Sequence, residues 1–144
     1  MIETRMDDYV PFALVADDNA LIRMDVVSIL EDAGFRVYEA ADAEEALAVL
    51  DKSWQSIQLL FTDVQMPPGE LDGFHLARKC AESWPHIGIL VSSGMMKPEP
   101  GDMPQGAIYV GKPFSREVVV DRLQELLPDG QKPEPLKRAA QRDN

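Results

Sequence analysis

Short apolar runs alternate with helical patterns along this chain. Four runs lack polar alternation, which is typical of strands covered on both faces of a sheet, and RVYEA at 36–40 is a weaker fifth. The four runs are FALVA at 12–16, QLLFT at 58–62, IGILVS at 87–92 and AIYV at 107–110. Together these patterns predict five β-strands.

The segments between the runs carry apolar residues at helical spacing. Helix starts are indicated by side chains that can accept hydrogen bonds from free backbone N–H groups, and helix ends by glycine or proline. The four predicted helices start at about Asn19, Asp42, Asp72 and Ser115, and Gly34, Pro85 and Pro128 end the first, third and fourth.

Alternating strands and helices predict a doubly wound α/β sandwich, flavodoxin-like, with a five-stranded parallel sheet. Residues 94–106 are an exception, because their three prolines disfavour a full helix. The fourth helix of the (βα)5 pattern is therefore predicted to be shortened to a single turn or lost.

The length of 144 residues and the hydrophobic content of 45% suit one domain. We predict that this domain spans 12–127 and follows an N-terminal extension at 1–11. The segment 128–144 is polar and contains prolines, so we predict a flexible C-terminal tail.

A net charge of −11 argues against direct binding to nucleic acid. The single cysteine, Cys80, excludes a disulfide framework within one chain and favours a reducing compartment. The first eleven residues do not resemble a signal peptide, and no run of about 18 apolar residues predicts a membrane span. We therefore expect a cytoplasmic protein that does not bind membranes.

Acidic residues follow two strands that would be neighbours in the order 2-1-3-4-5. Asp17 and Asp18 follow the first strand, and Asp63 follows the third, so their carboxylates should converge at one edge of the sheet. Two such charges about 4 Å apart repel by roughly 4 kcal/mol at an effective dielectric near 20. A cation is therefore required, and oxygen ligands without histidine or cysteine favour Mg²⁺ over zinc.

The last two strands add a hydroxyl and an amine to the same edge. Ser93 follows the fourth strand and Lys112 follows the fifth. Carboxylates, a divalent cation and a lysine suit phosphoryl transfer, in which a carboxylate can form an acyl phosphate. Asp63, the isolated acid of the set, is the predicted nucleophile.

These motifs, in this order, resemble the receiver domain of two-component response regulators, the CheY-like family, from about Phe12 to Leu127. The resemblance implies that Asp63 accepts the phosphoryl group. It also implies that Mg²⁺ is held by Asp63, by Asp18 directly, by Asp17 mainly through water, and by the backbone carbonyl of Gln65.

The resemblance further implies that Ser93 turns toward the phosphoryl group and that Lys112 contacts it, with a cis bond to Pro113. It makes Tyr109 an aromatic switch. Two alternatives stay open: Ser92 is the competing hydroxyl, and Tyr109 is an ordinary strand aromatic.

Two segments depart from the common receiver pattern. The loop MPPGELDG at 66–73 is longer than usual, which predicts a different shape over the metal, and the proline-rich 94–106 replaces most of a helix of the signalling face. Gln65 and Met95, two positions past the acceptor and the hydroxyl, are expected to influence phosphoryl lifetime.

We predict a stand-alone receiver rather than an enzyme. Its phosphodonor would be a histidine kinase or a histidine phosphotransfer protein, and the surface near 94–127 would bind a downstream protein. His75 and His86 are predicted to be surface residues rather than phosphorylation sites. One alternative is a receiver-shaped interaction module that is never phosphorylated. The other is a haloacid-dehalogenase-like phosphatase, which would need a second aspartate where this chain has Gln65.

Overall fold

The computed structural model describes residues 10–66, 71–94 and 97–142, with side chains up to residue 139. Most of the predicted N-terminal extension, the middle of the loop at 66–73 and the predicted role of Met95 lie outside the described residues.

Five parallel strands form one sheet in the order β2-β1-β3-β4-β5. The predicted flavodoxin-like architecture is confirmed. The strands are β1 (Phe12–Ala16), β2 (Arg36–Ala40), β3 (Ile57–Asp63), β4 (Gly88–Ser93) and β5 (Ile108–Gly111). Nearly every residue of the central strands β1, β3 and β4 is buried, which explains why their sequences lack polar alternation.

Helices cover both faces of the sheet and begin at the predicted caps. Asn19 accepts hydrogen bonds from two backbone N–H groups of the first helix, and Asp42, Asp72 and Ser115 each accept one. The helices are α1 (Ala20–Asp32), α2 (Ala43–Ser53), α3 (Gly73–Ser83), α4 (Arg116–Leu126) and α5 (Glu134–Arg142).

Two apolar clusters lie on opposite faces of the sheet. Leu50 and Leu76 of α2 and α3 belong to one cluster, together with Cys80. Leu30 and Leu123 of α1 and α4 belong to the other. Within the described part of the chain, no helix is long and apolar enough to cross a membrane.

The crossover from β4 to β5 contains turns and no helix in its described residues, 97–107, as predicted. It is nevertheless attached to the body. Arg78 of α3 donates a hydrogen bond of 2.6 Å to the carbonyl of Asp102, and Met103 packs against the apolar cluster beneath it. A loop with a few anchored residues therefore covers part of the sheet that a helix would otherwise cover.

The prediction of a flexible tail is wrong for residues 129–142. A short 3-10 helix at Asp129–Gln131 leads into α5, whose Leu136 is completely buried with residues of α1 and α4. Gln124 of α4 donates a hydrogen bond of 2.7 Å to the Leu136 carbonyl. At Gly34, where φ is +106°, an added Cβ would overlap Pro133, so this glycine provides the space that lets the tail pack.

Candidate functional site

Three carboxylates converge at the carboxyl edge of the central strands. Single oxygens of Asp17, Asp18 and Asp63 all lie within 4.8 Å of one another. Asp17 and Asp63 are only 3% and 7% exposed, whereas Asp18 is exposed to solvent. The predicted convergence is confirmed, because β1 and β3 are neighbours and end at the same edge.

Lys112 brings a positive charge into this cluster from the end of β5. Its Nζ lies 3.1 Å from Asp63 Oδ1 and 3.3 Å from Asp17 Oδ2, and its side chain is 17% exposed. The peptide bond between Lys112 and Pro113 is cis, as predicted. One ammonium group thus links the two buried carboxylates, which come from different strands.

Burial and these contacts together determine the pKa shifts of Asp63 and Lys112. Burial raises the pKa of the Asp63 carboxyl above its ordinary value of 3.8, and the charge of Asp17 raises it further, although Lys112 and the Val64 N–H act in the opposite direction. Burial alone would lower the pKa of Lys112, but the carboxylates of Asp63 and Asp17 outweigh burial and raise it. Lys112 therefore keeps its positive charge, whereas the contacts of Asp63 only partly offset the cost of burying its negative charge.

Backbone contacts hold Asp63 in place. The Val64 N–H donates a hydrogen bond of 2.9 Å to Asp63 Oδ1, and the Gly73 N–H donates one of 2.8 Å to the Val64 carbonyl. A Cβ on Gly73 would overlap the carbonyl oxygen of Asp63, so the first residue of α3 must be glycine for the helix to approach this closely. Gly73 was not among the predicted site residues, although its position directly after the cap Asp72 was an available signal.

Both candidate hydroxyls lie at the end of β4. Ser93 is 3% exposed, and its carbonyl accepts hydrogen bonds of 3.0 Å from the Lys112 N–H and from the Tyr109 hydroxyl. Ser92 is 1% exposed and pairs in register with Asp63, and within the described residues its hydroxyl has no hydrogen-bond partner. The choice of Ser93 over Ser92 stays a prediction.

Tyr109 and Gln65 lie beside the site. Tyr109 is half-buried on β5, and its hydroxyl donates a hydrogen bond to the Ser93 carbonyl. The two predicted switch residues are therefore in direct contact. Gln65 is exposed two residues beyond Asp63. The switching role of Tyr109 and the metal-binding role of the Gln65 carbonyl stay predictions.

The donor set fits a hard divalent cation. All three acidic ligands offer oxygen, and neither histidine nor cysteine belongs to the cluster. Three carboxylates and the ammonium of Lys112 leave a formal charge of −2, which one Mg²⁺ would neutralise.

The two histidines lie outside the acidic cluster; His75 is exposed and His86 is partly buried. His75 contacts the cap Asp72 at 2.9 Å, and His86 Nε2 lies 3.0 Å from the Trp54 carbonyl. Burial raises the pKa of the Cys80 thiol to about 12, so this thiol is neutral and packed in the core at ordinary pH.

Comparison with known proteins supports the resemblance to receiver domains. A family model described as response regulator receiver domain matches residues 13–124. The response regulator receiver protein CpdR of Brucella abortus (strain 2308) is 31% identical over 118 residues, which cover 79% of this chain and 94% of CpdR. The sensor kinase CckA of the same organism is 30% identical over 119 residues, but these cover only 12% of CckA.

A solved structure extends the similarity to three dimensions. The chemotaxis protein CheY4 of Vibrio cholerae is 31% identical and superposes with a TM-score of 0.71, and the alignment covers 83% of this chain and 100% of CheY4. The family match at 13–124 covers the five strands and α1 to α4, apart from the first residue of β1 and the last two residues of α4, whereas α5 begins after the match ends.

Proposed function

The chain belongs to the response regulator receiver domain family, and on this premise we propose that Asp63 accepts a phosphoryl group from a phosphohistidine of a histidine kinase or a phosphotransfer protein. The protein then acts in two-component signalling through contacts with a downstream protein. This is a signalling role rather than the turnover of a free substrate.

The transfer requires a nucleophile and a way to neutralise the phosphoryl oxygens. An Asp63 carboxylate oxygen forms a bond to phosphorus, the bond from phosphorus to the donor imidazole nitrogen breaks, and that nitrogen keeps the electron pair and takes up a proton. Lys112, which contacts Asp63 in the unmodified protein, would pair with a phosphoryl oxygen after the transfer. Mg²⁺ would supply charge neutralisation at the same oxygens when bound by Asp17, Asp18, Asp63 and the Gln65 carbonyl.

A change at the end of β4 would carry the signal outward. Ser93 would turn toward the phosphoryl group, and Tyr109, whose hydroxyl already contacts Ser93, would respond to this movement. The surface formed by 94–127 would then present a different face to its partner. A cytoplasmic location agrees with a single cysteine that is buried and forms no disulfide in the described residues.

The contact of Lys112 with both Asp17 and Asp63 is the observation that carries this proposal. Structural ion pairs are common on protein surfaces, but this one joins the ends of three strands at an acidic cluster in which Asp17 and Asp63 are buried. Such a cluster is unfavourable for the fold unless a cation binds it.

Incubation with Mg²⁺ and acetyl phosphate, followed by intact-mass spectrometry and peptide mapping, tests the proposal. We expect one added phosphoryl group on Asp63 in the parent protein and none in Asp63→Asn. Asp51→Asn, a matched change at an exposed aspartate of α2, should leave the modification unchanged. An unmodified parent protein would instead support the interaction module, and phosphate release from small esters would support the phosphatase.

A further inference from the structure

Arg23 of α1 reaches back to the turn that carries the acid pair. Its Nη1 donates a hydrogen bond of 2.7 Å to the backbone carbonyl of Asp17. Side chains on a helix lean toward its N-terminus, so a residue one turn into α1 is well placed for this contact. The Asp17 N–H in turn donates a hydrogen bond of 3.0 Å to the Ala40 carbonyl of β2. Both backbone polar groups of Asp17 are therefore engaged.

The guanidinium group of Arg23 is itself held from the other side. Its Nε lies 3.1 Å from Glu39 Oε1 on β2, and the Arg23 side chain is 20% exposed. Two different nitrogens thus bind two different acceptors. The planar arginine fork can make both contacts at once, whereas the single ammonium group of lysine does not reproduce this geometry.

The contact to the Asp17 carbonyl orients both acids of the pair. A peptide unit is planar, so the Asp17 carbonyl and the Asp18 N–H rotate together. A hydrogen bond that fixes this carbonyl therefore fixes the plane of the peptide unit between Asp17 and Asp18. The Cα atoms that carry the two side chains lie at the two ends of this unit. The Glu39 charge balances that of Arg23, so the pair orients the acids without reducing the formal charge of −2 that attracts a divalent cation.

We propose that Arg23, anchored by Glu39, is a positioning residue for the metal site: it holds the Asp17–Asp18 peptide in the orientation that lets both carboxylates bind one divalent cation. This inference rests on the proposed function, because it assumes that the acidic cluster binds Mg²⁺. Groups that orient the ligands of a metal site typically change metal affinity by about 10- to 100-fold when they are removed.

Mg²⁺ titration of the full chain, followed by amide chemical shifts in NMR spectra, tests this role. Charge alone predicts that Arg23→Ala binds Mg²⁺ more tightly, since a cation has been removed near the site. The positioning role predicts the opposite, a dissociation constant roughly 10-fold higher in both Arg23→Ala and Arg23→Lys. Arg122→Ala, which removes an arginine paired with Glu125 on α4, is the matched control and should bind like the parent.

Two further readouts separate positioning from a general loss of structure. Phosphoryl uptake by Arg23→Lys should be slow at low Mg²⁺ and return close to the parent rate at saturating Mg²⁺. Glu39→Ala should weaken Mg²⁺ binding less than Arg23→Ala does, and the double variant should bind no more weakly than Arg23→Ala, since both changes disrupt one unit. Circular dichroism in EDTA verifies that each variant is folded.

The outcomes are distinguishable. If the parent binds Mg²⁺ and is modified on Asp63, while folded Arg23→Ala and Arg23→Lys bind Mg²⁺ at least as tightly, the positioning role is wrong and the proposed function stands. If the parent neither binds Mg²⁺ nor gains a phosphoryl group, the proposed function fails and the role of Arg23 fails with it.

Discussion

Two regions of this protein differ in the kind of interaction that they bury. One is the acidic rim, formed by Asp17, Asp18, Asp63 and Lys112 at the carboxyl edge of the sheet. The other is the tail dock, where α5 packs on α1 and α4 through Leu136. The rim crowds like charges that one lysine compensates only in part, whereas the dock buries a leucine and satisfies its backbone carbonyl.

The contrast separates function from stability. Apolar burial in the dock favours the folded state by itself. The rim is unfavourable in the unbound protein, because buried carboxylates lose hydration and repel one another. Changes in the dock should therefore lower the stability and spare the chemistry. Changes in the rim should affect the chemistry first, and the removal of a carboxylate charge there should stabilise the unbound fold.

The largest expected effect on stability is that of Leu136→Ala in the dock. Truncation of a fully buried leucine typically costs roughly 2–5 kcal/mol, since the removed methyl groups leave a cavity. Urea denaturation should show this loss in the free energy of unfolding. Phosphoryl uptake by the folded fraction should be unchanged, because the dock and the acidic rim share no residue.

Arg138→Ala on the exposed side of the same helix is the control and should change the free energy of unfolding by less than about 0.5 kcal/mol. Equal stability of Leu136→Ala and the parent would mean that α5 contributes nothing to the fold. A loss of phosphoryl uptake in the folded Leu136 variant would instead mean that the dock and the rim are coupled.

Gly73→Ala should affect both stability and chemistry, because the added Cβ would overlap the Asp63 carbonyl. Overpacking against backbone typically costs roughly 1–3 kcal/mol. The displaced Asp63 should also react more slowly, since misplacement of a reacting group by about 1 Å can cost on the order of 100-fold in rate. Chemical denaturation and the rate of phosphoryl uptake measure the two effects.

Gly130→Ala is a suitable control, since an added Cβ there meets no atom within 4 Å. We expect this variant to match the parent in both measurements. If Gly73→Ala matched the parent as well, the close approach of α3 to the end of β3 would have no role in placing Asp63.

The sequence predicted the sheet, α1 to α4 and the acidic rim because these depend on local patterns. Apolar runs marked the strands, caps such as Asn19 and Asp42 marked the helix starts, and the fold rule for parallel sheets brought the strand ends together. Asp63 and Lys112 could be recognised because each directly follows a strand. Their contact then depended on the strand order, for which the flavodoxin-like order 2-1-3-4-5 was assumed and which the structure confirms.

The tail helix and Arg23 could not be predicted in the same way. A nine-residue helix such as α5 is marginal in isolation, and its sequence offers one large apolar residue, Leu136, rather than a stripe. The helix forms because it packs against α1 and α4, and this packing needs the space left at Gly34. Arg23 appeared as a polar position of α1, and its role depends on a carbonyl and a carboxylate from other elements.

The smallest expected effect, and the most direct test of the contrast, is the stability of Asp63→Asn without Mg²⁺. The folded-state pKa of Asp63 is raised by burial and by Asp17, so the charged form is disfavoured by folding at neutral pH. Asparagine resembles the protonated side chain, and the variant should unfold at a slightly higher temperature in EDTA. The advantage of the variant should shrink as the pH falls through the raised pKa, because the parent carboxyl then becomes neutral in the folded state.

Added Mg²⁺ should stabilise the parent more than the variant, since a ligand that binds the native state raises its stability. An Asp63→Asn protein less stable than the parent in EDTA at neutral pH would show that the Lys112 contact outweighs burial and repulsion, and that the rim is not an unfavourable arrangement in the unbound protein.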